Sequence, residues 1–140
     1  MVDTGVDALL MAGGTSMVYF SNADVIHAGD VFRTTSYPAA DVNGGGDFMG
    51  ILDAYARLLR VMGPETRLLP GHGEVSTRDA VTDQLAMIEE IRSAVAAAKA
   101  EGKSLEEVLA MGITAPYDPE WSSSRWSGEY LVTTLYETAE

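Results

Sequence analysis

The chain has two histidines and no cysteine among its 140 residues. Metal or proton-transfer chemistry therefore has to run through His27, His72 and the carboxylates. Asp30 is the acid in the most suggestive position. It closes Val25-Ile26-His27-Ala28-Gly29-Asp30, where a strand runs into a glycine, and strand ends are where open sheets display functional groups. An aspartate after a glycine also serves as a turn or cap residue, which is the commoner case. His72 lies in Pro70-Gly71-His72-Gly73. The flanking glycines strip bulk from both sides of the imidazole and leave its nitrogens open to a metal or a substrate. A solvated turn histidine is the alternative. His27, inside an apolar run, reads as a core histidine or as one supporting a ligand from behind through a ring nitrogen.

Other residues offer less. Tyr37, Phe48, Trp121 and Trp126 could line a small apolar pocket, although aromatics flanking short helices more often form a satellite core. Met11, Met17, Met49 and Met62 read as packing residues. Gly44-Gly45-Gly46 precedes a helix start but lacks the lysine and spacing of a phosphate loop, which argues against a nucleotide site. The absence of cysteine excludes disulfides and every thiolate-ligated metal or iron-sulfur site.

Two periodicities divide the elements that must position these residues, and the change falls near Asp47. Val6 to Leu10, Ser16 to Phe20, Val25 to His27 and Val31 to Thr35 are short strand-like runs. Gly13-Gly14, Ser21-Asn22 and Gly29-Asp30 separate them as turns. Tyr37 to Asp47, with a proline and three successive glycines, is a loop. Phe48, Ile51, Leu52, Tyr55, Leu58, Leu59 and Met62 then mark one face of an amphipathic helix, with Asp47 as N-cap and Gly63-Pro64 as the stop.

A short strand, Thr66 to Leu69, leads into the His72 turn. A long helix follows, expected to be capped by Ser76 with Asp79 in the third position, buried through Val81, Leu85, Ile88, Ile91 and Val95, and ended by Gly102. Ser104 with Glu107 is a second capping box for a short helix that Gly112 ends. Ser127 caps a last helix from about Gly128 to Thr138, with Leu131 and Leu135 inward. The pattern is α/β of the α+β kind: a β-rich first third, a βα unit and C-terminal helices.

Length and a 46% apolar content predict a single domain over residues 1–140, with 104–140 as a C-terminal helical extension. Nine basic against 21 acidic side chains give a charge of −12. Such a chain repels phosphate backbones and anionic lipid, so nucleic acid and membrane are poor partners. The acidic start, Met1-Val2-Asp3-Thr4-Gly5-Val6-Asp7, is unlike a basic signal-peptide n-region, and a cytoplasmic location is expected.

Three stretches together resemble the C-terminal half of the metallo-β-lactamase superfamily of metal-dependent hydrolases. VYFSNADVIHAGDVF is similar to that family's strand, turn, strand and Gly-Asp segment, and LLPGHG to its last histidine loop. YPAADVNGGGDFMGIL is similar to the branch often described as cyclase-like. The likeness covers roughly residues 16 to 100. It implies half of a four-layer αββα sandwich, Asp30 as the carboxylate bridging two zinc ions, and His72 as the terminal histidine on the second. A carboxylate has two oxygens to share between cations about 3.5 to 4 Å apart, and imidazole suits zinc's other positions.

The departures from that family are specific. Its HxHxDH segment does not occur here, and Leu10 to Thr15 carries no imidazole where a further family histidine is expected. The resemblance then implies a half-chain lacking the N-terminal metal-binding half, with zinc weak or absent and no turnover by the chain alone. An uncovered sheet implies a homo-oligomer or a separately supplied partner half. The competing expectation is a non-enzymatic oligomeric relict, or a module binding a small ligand.

Overall fold

The computed structural model describes residues 6–10, 16–40 and 48–139. Its described part is mixed α/β. Strands β1 (Val6–Leu10), β2 (Ser16–Phe20), β3 (Val25–Arg33) and β4 (Arg67–His72) lie side by side in that order. The pairings β1–β2 and β2–β3 are antiparallel, and β3–β4 is parallel. Five helices complete it: α1 (Phe48–Val61), α2 (Arg78–Ala100), α3 (Leu105–Ala110), α4 (Asp118–Trp121) and α5 (Gly128–Thr138).

The β2–β3 turn depends on Asp24, whose φ is 51°, a left-handed conformation that aspartate tolerates better than most residues. Its carboxylate Oδ1 accepts from Tyr19 at 3.2 Å and from Thr66 Oγ1 at 2.7 Å. One side chain thus ties the β2–β3 hairpin to the start of β4.

Two strands expected at Val25 to His27 and Val31 to Thr35 are one. Gly29, with φ 54°, is a bulge inside β3 and not a turn between strands. The register with β4 slips on both sides of it: His27 faces Leu69, Gly29 faces Pro70, and Arg33 faces His72. Extra residues on one strand bend it and re-aim its side chains, as β-bulges do.

One face of the sheet is buried. Met17, Ile26, Ala28, Phe32 and Leu68 form a single apolar cluster with Phe48, Leu52, Tyr55 and Leu58 of α1, Val81, Ile88, Ile91 and Val95 of α2, Val108 of α3, and Leu131 and Leu135 of α5. The period-3.6 stripes of the helices meet the period-2 row of the strands there. In α2 the stripe includes Gln84 and Met87 as buried residues, while Leu85 is only partly buried. Met17 and Met62 are packed as expected, but Met49 points to solvent.

The helix ends follow local chemistry with one exception. Ser104 accepts from the amide of Glu107, whose carboxylate accepts from the Ser104 amide at 2.7 Å, a complete capping box. Ser127 accepts from the Tyr130 amide at 3.1 Å. Gly102 and Gly112 take positive φ just past α2 and α3. Ser76, however, does not cap α2. It is bridged to Leu68 by two backbone hydrogen bonds of 2.8 Å, its hydroxyl donates to the Glu74 carbonyl, and Thr77 takes the N-cap position without a side-chain bond. The Asp47 cap, the Gly44 to Gly46 run and Met11 lie outside the described residues.

Candidate functional site

The parallel pairing of β3 with β4 brings together the two residues singled out for metal chemistry. His72 Nε2 stands 3.3 Å from Asp30 Oδ1, and both side chains are well over half exposed. The backbone makes the approach possible at two glycines. A β-carbon on Gly71 would lie 2.8 Å from the carbonyl carbon and oxygen of Gly29 and would clash with Asp30 Oδ1. Gly73, at φ 103°, lets Thr34 close over the turn. Thr34 donates its amide to the His72 carbonyl at 3.1 Å, and its hydroxyl oxygen accepts from the Glu74 amide at 3.0 Å. The imidazole therefore projects from the last residue of β4, and not from a turn after Leu69 as the sequence suggests, and Thr34 holds it in place through its amide on one side and its hydroxyl on the other.

The other carboxylate oxygen has a different neighbour. Arg33 places a terminal guanidinium nitrogen 3.6 Å from Asp30 Oδ2. Its side chain is only 9% exposed, and among the described residues its Nε has no hydrogen-bond partner. The guanidinium carbon lies 5.7 Å from the centroid of the Trp126 ring, in the range of a cation–π contact. The Arg33 carbonyl accepts from Gln84 Nε2 at 3.0 Å, and Gln84 Oε1 accepts from Tyr55. A buried polar column thus runs from α1 through α2 to the foot of the Asp30–His72 pair. Burial pushes the Tyr55 phenol far up, opposed in part by the positive charge of Arg33.

Arg33 escaped the sequence reading. The signal for it was an arginine ending an apolar run three residues after Asp30, a spacing that reads as a strand end unless the bulge is known.

His27 corrects an expectation. It is exposed, not a core residue, because strand alternation puts it on the face opposite Ile26 and Ala28, which are completely buried. Its register partners are Val18 and Leu69.

The aromatic residues separate. Tyr37 and Phe48 are fully buried in the core. The Tyr37 hydroxyl donates to Asp118 Oδ1 at 2.9 Å, and its amide donates to the Trp121 carbonyl at 2.8 Å. Trp121 is partly buried against the core. Trp126 meets Tyr130 edge-on at 5.0 Å and carries Arg125 at 4.9 Å from its ring centroid. A cavity of about 210 Å³ lies elsewhere, between the end of α3, Thr114, Asp118 and the first turn of α5. None of the four aromatics lines it.

No family model matches the chain, and no curated protein matches it in sequence. Among the described residues no group of three or more histidines, cysteines and carboxylates gathers as a metal site, and no helix is long and apolar enough to cross a membrane.

Proposed function

We propose that Asp30 and His72 are two ligands of a metal centre of metallo-β-lactamase type, and that this chain is one half of a metal-dependent hydrolase built on the αββα plan. The observation that carries this reading is the 3.3 Å between Asp30 Oδ1 and His72 Nε2. Donors about 2.0 to 2.2 Å from a tetrahedral zinc ion stand about 3.4 Å from one another. The pair fits one edge of such a site. Two donors do not complete it, since a catalytic zinc keeps three protein ligands and one open position. The third comes from outside the described residues or from another chain.

The two carboxylate oxygens differ in what they can do. Arg33 lies against Oδ2, so a cation at Oδ1 meets an oxygen free of that contact, while a second cation at Oδ2 would have to displace a buried guanidinium. The geometry favours one ion over the two that the family likeness implies. A bound zinc would supply Lewis acidity and an activated water for attack on an ester, lactam or related bond. The chain's own residues hold and orient: β3 and β4 fix the donors, Arg33 steadies the carboxylate, and the glycines keep the approach open.

The incomplete ligand set supports a second reading, a binding module that keeps the fold without the chemistry. Calorimetric titration with zinc, on wild type, Asp30→Asn and His72→Ala, tests the first. The expected result is weak binding by wild type that both variants lose, with no turnover of a generic ester or lactone. Zinc binding that survives both substitutions would overturn the assignment.

A further inference from the structure

Arg33 carries a donor edge that the described residues leave unfilled. The Nε and Nη2 hydrogens of a guanidinium point the same way, as parallel donors that receive a carboxylate through both its oxygens. Here Nε has no hydrogen-bond partner among the described residues. Nη2 stands 3.6 Å from Asp30 Oδ2, too far for a hydrogen bond. The side chain is more than nine-tenths buried, and a donor left idle away from water is costly. Asp30 is the exposed member of the contact, so this edge faces the surface on which Asp30 and His72 stand.

Trp126 supplies the surroundings. Its ring centroid lies 5.7 Å from the guanidinium carbon of Arg33 and 4.9 Å from that of Arg125. Two of the chain's nine basic side chains thus share one aromatic ring. Arg125 is exposed and Trp126 only partly buried. A flat apolar surface between a buried and an exposed cation suits an organic acid, whose carboxylate meets guanidinium while its carbon skeleton meets the indole. The charge of −12 narrows the anion further, since the chain as a whole repels a dianion more than a monoanion.

We propose that the Nε–Nη2 edge of Arg33, beside Trp126, binds the carboxylate of the substrate. This rests on the reading of Asp30 and His72 as metal ligands, and it narrows the substrate to esters, lactams and related compounds that bear a free acid group close to the scissile bond. Asp30 is the group that an incoming carboxylate displaces from Arg33. Its exposed side chain is free to turn away, and a cation at Oδ1 balances the charge by which it holds the guanidinium.

Titration with benzoate in a chelator-treated sample, with neutral benzamide as control, tests this. The readout is the indole Nε1–H resonance of Trp126, with Trp121 as internal reference. Benzoate is expected to shift Trp126 saturably, and benzamide, lacking the charge, to bind about tenfold more weakly or worse. Arg33→Lys keeps the charge without the parallel donors and is expected to weaken benzoate about tenfold. Asp30→Asn removes the competing carboxylate at an exposed position and is expected to tighten benzoate about threefold, although it costs a zinc ligand. It decides the matter should Arg33→Lys unfold. The opposite signs at Asp30 keep the two readings apart: zinc that fails to bind leaves the benzoate result intact, and benzoate that fails to bind leaves the zinc titration intact. Inorganic phosphate is expected to bind more weakly than benzoate. No shift of Trp126 with benzoate, benzamide as strong as benzoate, phosphate stronger than either, or no gain in Asp30→Asn would overturn the proposal.

Discussion

Asp30 Oδ1 and His72 Nε2 meet at 3.3 Å across a bulge: Gly29, with φ 54°, shifts the register of β3 so that its next residues lie beside Pro70–His72, the last residues of β4. The contact is a product of backbone shape. Neither side chain is buried, and the positions are set by two strands and the glycines between them.

Gly71 is the most sensitive position in that arrangement. Alanine there would put its β-carbon 2.8 Å from the Gly29 carbonyl and into the Asp30 carboxylate. Because backbone is the obstacle, β3 and β4 must separate locally. Gly71→Ala should cost about 1 to 3 kcal/mol, as overpacking does, and should part Asp30 from His72. Urea denaturation and the His72 imidazole resonances check both parts.

His72→Ala should behave in the opposite way. The imidazole is 59% exposed and leaves no cavity, so the stability loss should stay below about 1 kcal/mol. A large fall in melting temperature without added metal would show that the residue is structural.

Much of the fold was legible because its signals are local. The Ser104–Glu107 box, the Ser127 cap and the glycines after α2 and α3 act within a few residues of themselves, and all four stand as read. What escaped depends on distant partners. Ser76 has a cap's sequence context, but Leu68 draws its backbone into a bridge. Gly29-Asp30 reads as a turn, and only pairing with β4 makes it a bulge within one strand. His27 was misplaced by giving an apolar run more weight than its alternation, and Arg33 emerges as part of the site only once Asp30 is placed above it.

The caps make a paired prediction. Ser104→Ala removes a reciprocal capping box and should cost about 1 kcal/mol. Ser76→Ala should not show an N-cap effect, since α2 begins after Thr77 with no side-chain cap bond. Thermal melts of the two variants, with helix content read by circular dichroism, compare them. An equal fraying of α2 in Ser76→Ala would contradict the assignment.

Two buried tyrosines predict loss of stability in alkali. Burial raises the Tyr55 phenol, and burial with the Asp118 hydrogen bond and charge raises Tyr37. Both remain protonated in the folded chain at a pH where the unfolded chain ionises, near 10. The unfolded state then holds fewer protons, so stability falls with rising pH. The full contribution is present below about pH 10 and is lost progressively as pH climbs toward the folded values. Tyr37→Phe and Tyr55→Phe should each flatten the slope above pH 10, even though Tyr55→Phe also leaves Gln84 Oε1 without its buried donor and lowers stability at neutral pH by about 1 to 3 kcal/mol.

The metal assignment meets its most direct test in the imidazole nitrogens, because the chain has two histidines and the structure separates them, one beside Asp30 and one on the open sheet face. Long-range proton–nitrogen spectra recorded during a zinc titration resolve both rings. The account predicts that His72 Nε2 shifts on zinc binding, that His27 does not follow it, and that Asp30→Asn weakens the effect by about tenfold or more, as loss of a ligand or its support does. Zinc that perturbs His27 and His72 alike, or leaves His72 Nε2 unmoved, would contradict it.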